Sequence, residues 1–138
     1  MKMDVRKLLL GVLIVSLALP VQATPLPRRG LIVFSSLCRD YMTGDINGDR
    51  LVLVRLPLHD FGYMEGGDGG FNSAPLEDLK IDDSKGKVSF RYRDSEGKLR
   101  TVASTINGES AGLMSWDGKP FRLRRLRSVD DKLPLCKK

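Results

Sequence analysis

LKIDDSKGKVSFRYRDSEGKLRTVASTINGESAGLMSWDGKPFRLRRLR, Leu79 to Arg127, is the stretch whose reading decides the fold. Four glycine pairs punctuate it: Lys85-Gly86, Glu96-Gly97, Asn107-Gly108 and Asp117-Gly118. Asn-Gly and Asp-Gly favour two-residue hairpin turns, because a type I′ turn needs positive φ at both central residues. The intervening runs are rich in β-branched and aromatic residues and alternate apolar with polar ones, which is the pattern of half-buried strands. The stretch predicts five strands joined by four tight turns.

A two-residue turn fixes the register of its hairpin. Turning at the four pairs sets Ile81 opposite Phe90, Phe90 opposite Ala103, Thr101 opposite Met114 and Met114 opposite Phe121. All four registers agree on one inward face: Leu79, Ile81, Val88, Phe90, Tyr92, Leu99, Thr101, Ala103, Met114, Trp116, Phe121 and Leu123. The wet face then carries Arg91, Arg93, Arg100, Val102, Leu113, Arg122 and Arg124, with Arg93 directly opposite Arg100. One apolar and one wet face describe an antiparallel meander.

Working outward, Leu31 to Leu37 (LIVFSSL) reads as another strand, and Tyr41–Ile46 with Arg50–Leu56 as a hairpin turning at Asn47-Gly48. The segment Asp45–Asp49 (DINGD) begins like a calcium loop. It then offers Arg50 where glycine is needed and Leu56 where a bidentate carboxylate is needed, so no metal site is expected. Residues 57–75 (PLHDFGYMEGGDGGFNSAP), with five glycines, read as a long irregular loop. GGDGG lacks the Gly-Lys-Ser/Thr ending of a phosphate loop. A loop of this length in a compact domain is usually functional or disordered, and Phe61, Tyr63, Met64 and Phe71 argue against disorder. The sum is all-β: an antiparallel up-and-down meander of about eight strands, curled into a small barrel or flattened sandwich.

Residues 1–23 read as a signal peptide. Lys2, Arg6 and Lys7 precede an apolar run from Leu8 to Leu19, Pro20 breaks it, and Val21-Gln22-Ala23 fits a cleavage site. The run is short for a membrane span, so no transmembrane span is expected in the mature form. Removing residues 1–23 from 138 leaves 115, and losing Lys2, Arg6, Lys7 and Asp4 takes the net charge from +6 to +4. Residues 24–138 are enough for one exported domain with a modest core, opened by a poorly ordered lead-in, Thr24 to Arg29. Cys38 and Cys136 are the only cysteines. In an exported chain they are expected to form a disulfide, which would draw the polar tail from Ser128 back to the first strand. The localisation that follows is secreted or periplasmic.

No catalytic constellation emerges. His59-Asp60 is the only His–carboxylate neighbour pair, and there is no Gly-x-Ser-x-Gly elbow. The chain does not read as an enzyme and no cofactor is implied. Two binding sites are candidates. One is a barrel-mouth ligand site under the loop from His59 to Phe71, using His59, Phe61, Tyr63, Met64 and Phe71 for a small ligand. The other is the basic face of Arg91, Arg93, Arg100, Val102, Leu113, Arg122 and Arg124, suited to an acidic protein or anionic surface. That face lacks aromatic interleaving, so no specific nucleic acid is expected.

The ending WDGKPFRLRR, Trp116 to Arg125, resembles the last hairpin of uncharacterised bacterial secreted all-β domains of calycin-like type, with the pattern W-x-G-x-x-F-x-L. The resemblance covers about the last 45 residues of the chain. It implies export and a β-meander, and it carries over no active site. The disulfide-closed eight-strand layout is also similar to periplasmic lysozyme inhibitors. Their Ser-Gly recognition loop is not found, and a basic chain suits a basic lysozyme poorly.

Overall fold

A computed structural model describes residues 23–68, 71–114, 118–127 and 132–138. The expected signal peptide, apart from Ala23, and the expected core residue Trp116 lie outside them. The described chain is all-β: β1 (Gly30–Ser35), β2 (Cys38–Arg39), β3 (Ile46–Arg55), β4 (Asp60–Asp68), β5 (Phe71–Pro75), β6 (Glu77–Asp82), β7 (Lys87–Arg93), β8 (Leu99–Ile106), β9 (Ser110–Met114) and β10 (Pro120–Leu126). These ten strands form one antiparallel sheet, ordered β5-β4-β3-β1-β10-β9-β8-β7-β6 with β2 also on β3, curled into a nearly closed barrel. The first and last strands pair with each other. The seam falls mid-chain, between β5 and β6.

At that seam one run of chain changes partner. β5 pairs with β4 up to Pro75, which has no N–H to continue a ladder. The Leu76 amide donates to the Gly62 carbonyl (2.9 Å), and from Glu77 the run pairs with β7. Gly62 permits this crossing, because a Cβ there would lie 2.2 Å from the Val52 carbonyl oxygen and 3.1 Å from Leu76 Cδ1. A bulge follows at Asp78, an aspartate at φ 50°, a region that Asp tolerates better than most residues.

Two expectations are overturned in the first half. Asn47-Gly48 is not a turn. It lies inside β3, which pairs with β4 from Asn47↔Asp68 to Arg55↔Asp60. Gly48 spends its left-handed freedom (φ 99°) on a kink, where a Cβ would lie 2.4 Å from the Ser36 carbonyl oxygen. The turn comes earlier, at Tyr41–Gly44, where Asp40 Oδ1 accepts from the Met42 and Thr43 amides (2.8 and 2.9 Å). Nor are residues 57–75 an irregular loop, since β4 and β5 occupy most of them.

In the second half the alternation is as expected, but none of the four registers is. β6 pairs β7 with Ile81↔Val88 and β8 pairs β9 with Thr105↔Gly112, each two residues off, a shift that keeps the faces. β7 pairs β8 with Phe90↔Val102 and Arg93↔Leu99, and β9 pairs β10 with Leu113↔Phe121. Each of these two is one residue off the two-residue-turn register. The two one-residue slips cancel across β8 and β9. As expected, Ile81, Val88, Phe90, Tyr92, Phe121 and Leu123 face inward, but β8 and β9 are turned over. Ser104, Ile106, Ala111 and Leu113 are buried, and Met114 is 59% exposed. Cysteine at Leu113 or Phe90 should therefore be alkylated only on unfolding, and at Met114 or Ala103 in the folded protein. Rapid labelling at 113 with protection at 114 would restore the original register.

The barrel is filled at mid-height by Ile32, Phe34, Leu51, Leu53, Val88, Phe90 and Leu123, all essentially inaccessible. Burying each such side chain contributes about 1.5–3 kcal/mol. One end is closed. The lead-in is docked there rather than loose: Leu26 joins the core, and the Gly108 amide donates to the Thr24 carbonyl (2.7 Å). Arg55, 7% exposed, donates through Nη1 and Nη2 to Asp83 (2.7 and 2.9 Å), through Nη1 to the Pro27 carbonyl (3.1 Å) and through Nε to Asp60 (3.4 Å). Cys38 and Cys136 are joined. Beside them the Arg39 amide donates to the Pro134 carbonyl and the Cys136 amide to the Arg39 carbonyl (2.8 and 3.0 Å), laying the tail along β2.

Candidate functional site

The opposite end is open. Alternation on six strands turns Asp49 (β3), Met64 (β4), Tyr92 (β7), Arg100 and Val102 (β8), Leu113 (β9) and Phe121 (β10) into it, around a cavity of about 550 Å³. Met64, Val102, Leu113 and Phe121 make an apolar floor. The β7–β8 hairpin supplies the rim with Asp94, Ser95 and Glu96. A slot of about 340 Å³ opens sideways between β5 and β7, where the barrel fails to close. Cup and slot share Asp49, Met64, Tyr92, Asp94 and Ser95, so they adjoin. A separate hollow of about 410 Å³ lies over Lys80, Lys87, Ser89, Ala103 and Thr105, whose side chains alternate away from the core.

The rim is built by its own sequence. Asp94 Oδ1 accepts from the Glu96 and Lys98 amides (3.0 and 2.9 Å), and Gly97 takes φ 78°. Arg100 Nε donates to Asp94 Oδ2 (2.8 Å). That guanidinium first, then the turn amides, holds the Asp94 carboxyl below the usual carboxylate range. Asp49 is different. Burial pushes its carboxyl up, and it has no hydrogen bond or ion pair among the described residues. Burial likewise raises the Tyr92 phenol, with the charge of Asp49 as the next cause.

The expected site residues are dispersed. His59 is exposed in the turn between β3 and β4, at the closed end of the barrel. Phe61 and Tyr63 alternate outward on β4, and the rings of His59, Phe61 and Tyr63 follow one another at 5.9 and 6.4 Å. Of the described side chains of that set Met64 alone lines the cup; Phe71 begins β5, and its side chain lies outside the described residues. The outer side of this sheet is apolar in two cross-strand rows, Leu31–Val54–Phe61 and Leu126–Val33–Val52–Tyr63.

The basic face is likewise broken up. Arg91 pairs with Asp78 and Arg93 with Glu77 (3.8 Å) across the bulge. Arg93 stands opposite Leu99 rather than Arg100. Arg100, Val102 and Leu113 belong to the cup. Arg122 and Arg124 remain exposed on β10. Asp49, Tyr92 and Asp94 were not anticipated as site residues. Asp49 was read as part of a turn, and only the correct strand would have shown it alternating with Leu51 and Leu53.

Among the described residues no group of three or more His, Cys, Asp or Glu side chains is placed to hold a metal ion. No helix there is long and apolar enough to cross a membrane. The chain matches no protein-family model, no curated protein and no solved structure.

Proposed function

We propose that this is an exported binding module that takes a small ligand in the open end of its barrel. The observation that carries the reading is the cup itself: about 550 Å³, floored by apolar side chains and rimmed by a few converging polar groups. Small-molecule sites have this size and composition, and barrel mouths are a common place for them. The site differs from the one expected from the sequence, because most of the segment from His59 to Phe71 is strand β4, Asp60–Asp68, and not a lid. Export rests on residues 1–23 and on the disulfide. The calycin-like resemblance of Trp116 to Arg125 points to the same kind of barrel.

Titration with N-phenylnaphthylamine, a neutral apolar dye, tests the reading. A saturable rise in fluorescence at one site is expected. Val102→Trp, which fills the cup from its floor, should weaken it at least tenfold while the unfolding transition stays cooperative. No saturable signal, or one that Val102→Trp leaves unchanged, would reject the cup as a ligand site.

A further inference from the structure

Asp49 is the feature of the cup that the fold does not explain. Each other charged group of the fully described interior has a partner: Arg100 has Asp94, and Arg55 has Asp83 and Asp60. Asp49 is half-buried on β3, and its carboxylate has none among the described residues. A partly desolvated, unpaired carboxylate opposes folding, so a compensating partner from outside the chain would be favoured there.

Its surroundings say what kind. Directly across from Asp49 is Gly66. A Cβ built at Gly66 would meet nothing within 4 Å except Asp49 Oδ1, at 3.6 Å. One face of the carboxylate is therefore left open, at the junction of cup and slot. The charge of the site also opposes that of the chain. The protein carries a net +6, whereas among the described residues the cup is lined by Asp49, Asp94 and Glu96 against one cation, Arg100. Arg100 is already taken by Asp94. What remains is negative charge beside the Tyr92 ring and above an apolar floor. A metal ion would want several oxygen ligands converging, and no such group of side chains occurs among the described residues. An ammonium on an apolar body fits both parts, with its N–H donors on the carboxylate and its cationic carbons against an aromatic face.

We propose that the ligand of the open end is an organic cation, a protonated amine carrying an apolar group, with Asp49 as its counter-ion. This rests on the reading of the cup as a small-molecule site. Three probes of matched size separate the two claims when they compete with the dye: phenylbutylamine, phenylbutanol and phenylbutyrate. The amine is expected to bind at least about tenfold more tightly than the alcohol, the worth of one charge-assisted hydrogen bond, and the carboxylate most weakly. Asp49→Asn should erase the preference for the amine, leave the alcohol within about threefold, and raise the thermal midpoint. Equal binding of amine and alcohol, or tightest binding of the carboxylate, overturns the inference and leaves the cup a ligand site. A lower midpoint for Asp49→Asn would make Asp49 a structural group and also overturn it. If the dye binds but none of the three probes displaces it, the inference falls and the cup remains a ligand site; if the dye itself does not bind saturably, the ligand-site reading falls with it.

Discussion

Arg55→Met is expected to lower the stability of the domain by about 3–5 kcal/mol, the range for removing one partner of a buried ion pair. Methionine keeps the length and much of the volume of the side chain. It leaves the Asp83 carboxylate, the Asp60 carboxylate and the Pro27 carbonyl without their shared donor. Because the Asp83 side chain is 37% exposed, water recovers part of the loss, and the lower end of the range is the better expectation. Urea unfolding measures it, and a loss below about 1 kcal/mol would place this network with ordinary surface pairs. Acid gives a second readout. The Arg55 hydrogen bonds hold the Asp83 carboxyl below its usual range. A depressed carboxyl stabilises the fold fully only above the unfolded value of about 3.9, and that contribution is lost as pH falls through the folded value. The wild type should lose stability below about pH 4 more steeply than Arg55→Met.

The second large effect is that of the disulfide. Replacing Cys38 and Cys136 together by alanine should cost about 4 kcal/mol, because the bridge closes a loop of sequence separation 98 and long loops lose the most entropy on cross-linking. The variant also releases the tail that lies along β2 through Arg39, Pro134 and Cys136. Equilibrium unfolding of oxidised wild type and the double variant gives the difference. A change below about 1 kcal/mol would show that the tail is held without the bond, or that the unfolded chain stays compact.

The fold class was legible because alternation is a property of each strand and survives errors in its turns. Register was less so, since it depends on loop length. At Glu96-Gly97 the chain makes a three-residue loop, with the Gly97 amide donating to the Asp94 carbonyl and the Asp94 amide to the Lys98 carbonyl. Asp at the first and Gly at the fourth turn position signal a type I turn with a bulge. Those residues stand in the sequence, but the glycine pair taken by itself implies a two-residue turn. Because the second one-residue slip, at β9–β10, reverses the first, the agreement among the hairpins looked self-consistent while two strands were inverted. That inversion moved Val102, Leu113 and Arg100 from an outer face into the cup. Asn47-Gly48 misled in another way. Its backbone freedom serves a kink against Ser36, and local sequence does not distinguish a kink from a turn. The glycines of β4 looked like a loop for want of side chains, though at Gly62 and Gly66 the missing Cβ makes room inside the barrel.

The pairing of β1 with β10 bears on when, during synthesis, this barrel can come into being. Hairpins such as β3–β4 and β7–β8 join neighbours in sequence and can form in microseconds once made. β1 acquires its second neighbour only when residues 120–126 have emerged. Until then one long edge, backed by Ile32 and Phe34, stays open to any strand that meets it. Closure is therefore the last event, it depends on the completed chain, and the covalent lock at Cys136 follows it. A polypeptide terminated anywhere before β10 would keep that adhesive edge, so incomplete copies are marked for aggregation or degradation by geometry alone.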